Sequence, residues 1–66
     1  MPKVRDAIRM VEQDGWYHLR TKGSHRQYGH PVKKGKVTIP GHPRDDLPMG
    51  TWNSILKQAG LRGRKR

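Results

Sequence analysis

Two stretches with the same apolar spacing lie at opposite ends of this chain, and each runs into a glycine. Val4, Ala7, Ile8 and Val11 recur at i, i+3, i+4 and i+7, and Gly15 follows. Trp52, Ile55, Leu56 and Ala59 repeat the pattern, and Gly60 comes directly after. Such spacing gathers apolar side chains on one face of a helix. A glycine just beyond can take the left-handed conformation that closes it. The pattern predicts helices over residues 3–14 and 48–59, with Leu61 making the apolar contact that accompanies such a cap. Pro48 suits the first turn of the second helix, where Asp45 and Asp46 are placed to favour its positive end. Gly50 inside that turn costs about 1 kcal/mol relative to alanine. Each helix carries an apolar stripe that must be covered, so the segment between them has to supply the surface.

That segment alternates. Residues 16–22 place Tyr17, Leu19 and Thr21 on one face, and residues 25–30 place Arg26, Tyr28 and His30 on one face. Residues 36–40 carry Val37 and Ile39 two apart. Period-two spacing is that of half-buried strands. Gly23-Ser24 reads as a tight hairpin turn, because glycine accepts the positive φ such turns need, and residues 31–35 read as a longer turn. Trp16 follows a helix-ending glycine and is assigned to the core, with a local bulge allowed for. The expected architecture is α+β, in the order α-β-β-β-α, with two helices on one face of a three-stranded antiparallel sheet.

With 66 residues there is room for one domain, expected over residues 1–61, followed at 62–66 by a basic tail expected to be disordered. A chain this short buries only about 60% of the surface its unfolded form exposes. Its hydrophobic content of 30% leaves the core to a few well-placed side chains. The chain has no cysteine, so neither a disulfide framework nor a thiolate metal site is available. No apolar run approaches the roughly 20 residues that span a bilayer, and residues 1–6 lack the apolar stretch of a secretory signal. A cytoplasmic protein is expected. Lys plus Arg number 15 against 5 Asp plus Glu, a formal net charge of +10, which points to a polyanionic partner. The first helix mixes both charge signs on its polar side, unlike the basic face of a membrane-surface helix.

Histidine is the side chain whose unperturbed pKa lets it move protons near neutral pH. The chain has four, at 18, 25, 30 and 42, and their spacing fits no compact zinc-ligand pair with a supporting cysteine or carboxylate. His18 and His30 read as strand-surface residues able to touch a nucleic acid. Tyr17 and Tyr28 can stack on bases, although alternating aromatics on a half-buried sheet more often pack. By pattern alone, Gly23-Ser24-His25 is a hairpin turn followed by an exposed histidine, or a catalytic one. No Walker loop, carboxylate pair or nucleophile elbow is present.

Taken in series, Gly15-Trp16, then Gly23-Ser24-His25, then Val37-Thr38-Ile39-Pro40-Gly41-His42, then Gly50-Thr51-Trp52-Asn53-Ser54-Ile55-Leu56-Lys57-Gln58-Ala59-Gly60-Leu61 resembles the HicA toxin family over residues 3–61. These are small messenger-RNA interferases of bacterial toxin–antitoxin systems. The resemblance implies a fold like that of a double-stranded-RNA-binding domain, which agrees with the element order read above. It also implies that the histidine of Gly-Ser-His, His25, is catalytic, and that a HicB-type antitoxin neutralises the toxin. Where double-stranded-RNA-binding domains present a lysine cluster at the start of their second helix, this chain has Asp45, Asp46, Leu47 and Pro48. That argues against recognition across a duplex groove.

RNA can be cut without metal, because its own 2′-hydroxyl can attack the adjacent phosphate. The reaction needs a base, cations for the developing phosphorane charge and an acid for the leaving oxygen. His25 as neutral imidazole is the expected base. Lys22, Arg26 and Arg20 are candidates to hold phosphate charge, Ser24 to position a phosphate oxygen, and His42 to act as second proton carrier. The partners expected are RNA and an acidic antitoxin covering the His25 region, with DNA reached only through the antitoxin. No cofactor is expected. Two other readings fit the composition: a non-catalytic RNA-binding module, and an interaction protein whose charge serves only an acidic partner.

Overall fold

The computed structural model describes residues 1–61; the expected tail at 62–66 lies outside them. The chain runs from α1 (Val4–Gln13) through β1 (Tyr17–Lys22), β2 (His25–Gly29) and β3 (Val37–Ile39) to α2 (Met49–Gln58). The strands form one antiparallel sheet in the order β1-β2-β3, an α+β fold in the expected order. Both helices fall within a residue of their expected bounds.

The two glycines end the helices by the same device. Beyond α1, Gly15 has φ +101°, its N–H donates to the Glu12 carbonyl (3.1 Å), and the Trp16 N–H donates to the Val11 carbonyl (3.0 Å). Beyond α2, Gly60 has φ +71°, with Gly60 N–H to Lys57 O at 3.2 Å and Leu61 N–H to Leu56 O at 2.8 Å. This paired closure satisfies carbonyls that the helix leaves open and turns the next side chain back onto the helix. Trp16 is therefore buried, with 2% of its surface exposed, through the helix cap.

One face of the sheet makes the core. Tyr28 pairs with Val37 and Arg26 with Ile39; Tyr28, Val37 and Ile39 are buried with Val4, Ala7 and Val11 of α1, Leu47, Ile55 of α2 and Ala59, its C-cap residue. Strand β1 lies outside this packing. None of its six residues is buried.

Asp45 and Asp46 serve α1 rather than α2, correcting the sequence expectation. The Asp45 carbonyl accepts the Val4 N–H (2.9 Å) and the Pro43 carbonyl accepts the Arg5 N–H (3.1 Å), so the 43–45 backbone satisfies orphan donors at the start of α1. Asp46 accepts from Lys3 Nζ at 2.7 Å, and that ammonium holds the Asp46 carboxyl below its usual range. Pro48 sits just before α2 as its N-cap residue.

Candidate active site

Sequence alternation assigned Thr21 to the face of Tyr17 and Leu19, and the register corrects this. Tyr17 pairs with Gly29 and His18 with Tyr28, but the next pairs are Arg20 with Gln27, Thr21 with Arg26 and Lys22 with His25. Leu19 is an extra residue, a bulge in β1. Directly opposed residues share a face. Tyr17, Arg20 and Lys22 therefore lie with His25 and Gln27 on the open face, while His18 and Thr21 lie with Tyr28 and Arg26 on the helix side. Side-chain contacts agree: Arg20 Nε donates to Gln27 Oε1 at 3.3 Å, and His18 Nε2 lies 2.7 Å from Thr21 Oγ1. Leu19 covers Gly29, where an added Cβ would come within 3.1 Å of Leu19 Cδ1.

His25 opens β2 immediately after the two-residue turn. Gly23 has φ +62°, at the position where a primed hairpin turn requires a glycine. The turn makes Lys22 and His25 the last cross-strand pair, with Cβ atoms about 5 Å apart in such a pair. His25 and Lys22 are exposed and Ser24 is half-buried. Arg26 faces the other way. Its Nη1 donates to the Gly41 carbonyl at 2.7 Å, holding the turn that leads to His42. Because β3 ends opposite the start of β2, exposed His42 leaves the sheet at the same end as His25. The structure thus puts Lys22, His25 and Arg20 on one face, Ser24 and His42 at the end of the sheet they share, and Arg26 on the opposite face.

Two aromatics and one histidine part company here. Tyr28 is 2% exposed and Tyr17 51%; burial, helped by the Glu12 charge, raises the Tyr28 hydroxyl pKa. His30 is not a strand-surface residue. Its Nδ1 accepts the Val32 and Lys33 backbone N–H groups, both at 3.0 Å, which puts its proton on Nε2, donated to the Asp14 carbonyl at 2.7 Å. The ring meets Trp16 edge-on at 5.1 Å. Lys33 completes this joint by an ion pair with Asp14 and a 2.9 Å bond from its Nζ to the Ala59 carbonyl.

Charge follows the same division. From Trp16 to Gly41 the chain holds Arg20, Lys22, Arg26, Lys33, Lys34 and Lys36 and no acidic residue; all five carboxylates of the chain lie in 6–14 and 45–46. Among the described residues no three His, Cys, Asp or Glu side chains converge. Nor is any helix among them long and apolar enough to cross a membrane.

A small α+β protein with a histidine on a cationic, acid-free sheet face is suited to meet an anionic polymer. Residues 4–61 match the family model of the HicA toxin of bacterial toxin–antitoxin systems, and the chain belongs to that family. It is therefore a toxin with an antitoxin partner. No curated protein sequence matches it.

Proposed function

We propose that this toxin is a metal-independent endoribonuclease acting on messenger RNA in the cytoplasm, with His25 as its general base. The observation that carries the reading is exposed His25 opposite Lys22 on a face without carboxylates. His25 takes the proton from the RNA 2′-hydroxyl, and that oxygen attacks phosphorus. The bond from phosphorus to the 5′ oxygen breaks, leaving a 2′,3′-cyclic phosphate. Lys22 and Arg20 oppose the charge that develops on the phosphoryl oxygens. Ser24, at the turn, positions one of them through its hydroxyl or backbone N–H. Arg26 contributes charge from behind while fixing the Gly41 carbonyl. The leaving oxygen needs a proton, for which His42 is the candidate. A HicB-type antitoxin, acidic to complement this face, neutralises the toxin by covering His25.

The test is cleavage of an end-labelled RNA by the parent chain and by His25→Ala. The substitution should cost at least about 10²-fold and leave the melting temperature unchanged. Parent activity should persist in excess EDTA. Near-parent cleavage by His25→Ala, with contaminating nuclease excluded, would remove the base assignment. RNA binding without cleavage by the parent would leave a non-catalytic RNA-binding module.

A further inference from the structure

The open sheet face carries more than its cations. Tyr17 is half-exposed there, five residues along β1 from Lys22. Its cross-strand partner is Gly29, which offers no side chain to pack on. The three atoms nearest to where a Gly29 Cβ would lie all belong to Leu19. Leu19 fills the glycine's place and leaves the tyrosine ring open. The bulge aligns this apolar pair with Arg20 and Lys22, so aromatic, aliphatic and cationic side chains succeed one another toward His25.

We infer that Tyr17 is a base-stacking subsite for single-stranded RNA, bordered by Leu19, with the substrate backbone running along β1 over Arg20 and Lys22 to His25. The inference rests on RNA being the polymer that meets this face. A ring can stack only on a base splayed from its partner, so the subsite selects unpaired RNA. Stacking is tolerant of base identity, and a platform of this kind sets where the strand lies before it sets which sequence is cut. At about 3.3 Å per residue, the four register steps from Gly29 to His25 put Tyr17 roughly 13 Å from the Lys22–His25 pair. That distance covers no more than about four nucleotides at the stacked spacing of ~3.4 Å. The recognised base is therefore within a few nucleotides of the cut.

The experiment measures binding of a short single-stranded 2′-O-methyl RNA, which cannot undergo 2′-hydroxyl attack, so that affinity is read apart from cleavage. Tyr17→Ala should weaken binding roughly 5- to 150-fold, the effect of losing one base–aromatic stack, while Tyr17→Phe and Tyr17→Trp stay within about twofold of the parent. The slope of affinity against salt should be unchanged in Tyr17→Ala and shallower in Lys22→Ala. Binding of a fully paired RNA should not respond to Tyr17→Ala. Parent-like affinity of Tyr17→Ala for the single strand overturns the inference, as does an equal loss on the duplex. Lost affinity for the co-expressed antitoxin with RNA binding intact would make Tyr17 a protein contact instead. If His25→Ala still cleaves but Tyr17→Ala loses single-strand affinity, the base assignment falls and the stacking subsite stands. A parent chain that binds no RNA removes both.

Discussion

Replacing His30 by alanine should destabilise this protein more than any change on its open face. The ring accepts two backbone N–H groups, donates to the Asp14 carbonyl and lies edge-on to Trp16. Val32 is exposed, so its N–H can turn to water and costs little. The Lys33 N–H and the Asp14 carbonyl are part-buried, and each lost bond is worth about 1 kcal/mol. The ring pair adds about 0.5–1.5 kcal/mol, for a total near 3 kcal/mol. A 66-residue chain has roughly 3–10 kcal/mol in all, so the variant sits near the edge of folding. At about 4–8 °C per kcal/mol, its melting temperature should fall by roughly 12–24 °C. Far-UV circular dichroism on heating reads this directly, with exposed His25→Ala as a control expected within about 0.5 kcal/mol of the parent. A His30→Ala melt within about 3 °C of the parent would refute the reasoning and return His30 to the strand surface.

Three further outcomes follow from the same geometry. Tyr28→Phe should improve stability at alkaline pH: the folded state raises the Tyr28 pKa, so the parent's tyrosine favours folding below pH 10 and that contribution is lost as pH rises from there toward the folded value, a loss the variant lacks in urea titrations at pH 9–11. Deleting Leu19 should be tolerated, because the remaining β1 residues already pair in unbroken order with β2; the shortened chain should fold and keep Lys22 opposite His25, and a chain that fails to fold would show the bulge to be indispensable. Gly15→Ala should destabilise by more than an ordinary glycine change, since φ is +101° and the added Cβ would lie 2.8 Å from His30 Nε2; a melt equal to the parent's would count against the joint between Asp14 and His30.

The helices were legible because each ends in a local signal, a glycine followed by an apolar residue, and the cap geometry needs nothing distant. The hairpin was legible for the same reason, since Gly23-Ser24 sits where the turn does. Strand faces beyond the turn were not. Nothing within residues 17–22 marks the bulge; its signal is Gly29, on the opposite strand, which leaves space for an extra leucine. His30 was misread because its hydrogen bond runs to Asp14, 16 residues away, a distance over which periodicity is silent. Of the candidate site, His25 and Lys22 were legible as neighbours across a turn. The separation of Arg20 from Arg26 onto opposite faces depends on the register, and so did the separation of Tyr17 from Tyr28.

Strand β1 contributes no buried residue and is held by its ladder to β2 and by the turn, while the core closes without it. Regions with few buried apolar contacts open locally at free energies below that of global unfolding. Amide hydrogens of β1 should therefore exchange with solvent faster than those of α1, β3 and α2, which residue-resolved hydrogen exchange would check. Anything that lies along the strand, whether polymer or inhibitor, slows that exchange, and the protection of these few amides reports occupancy of the face directly.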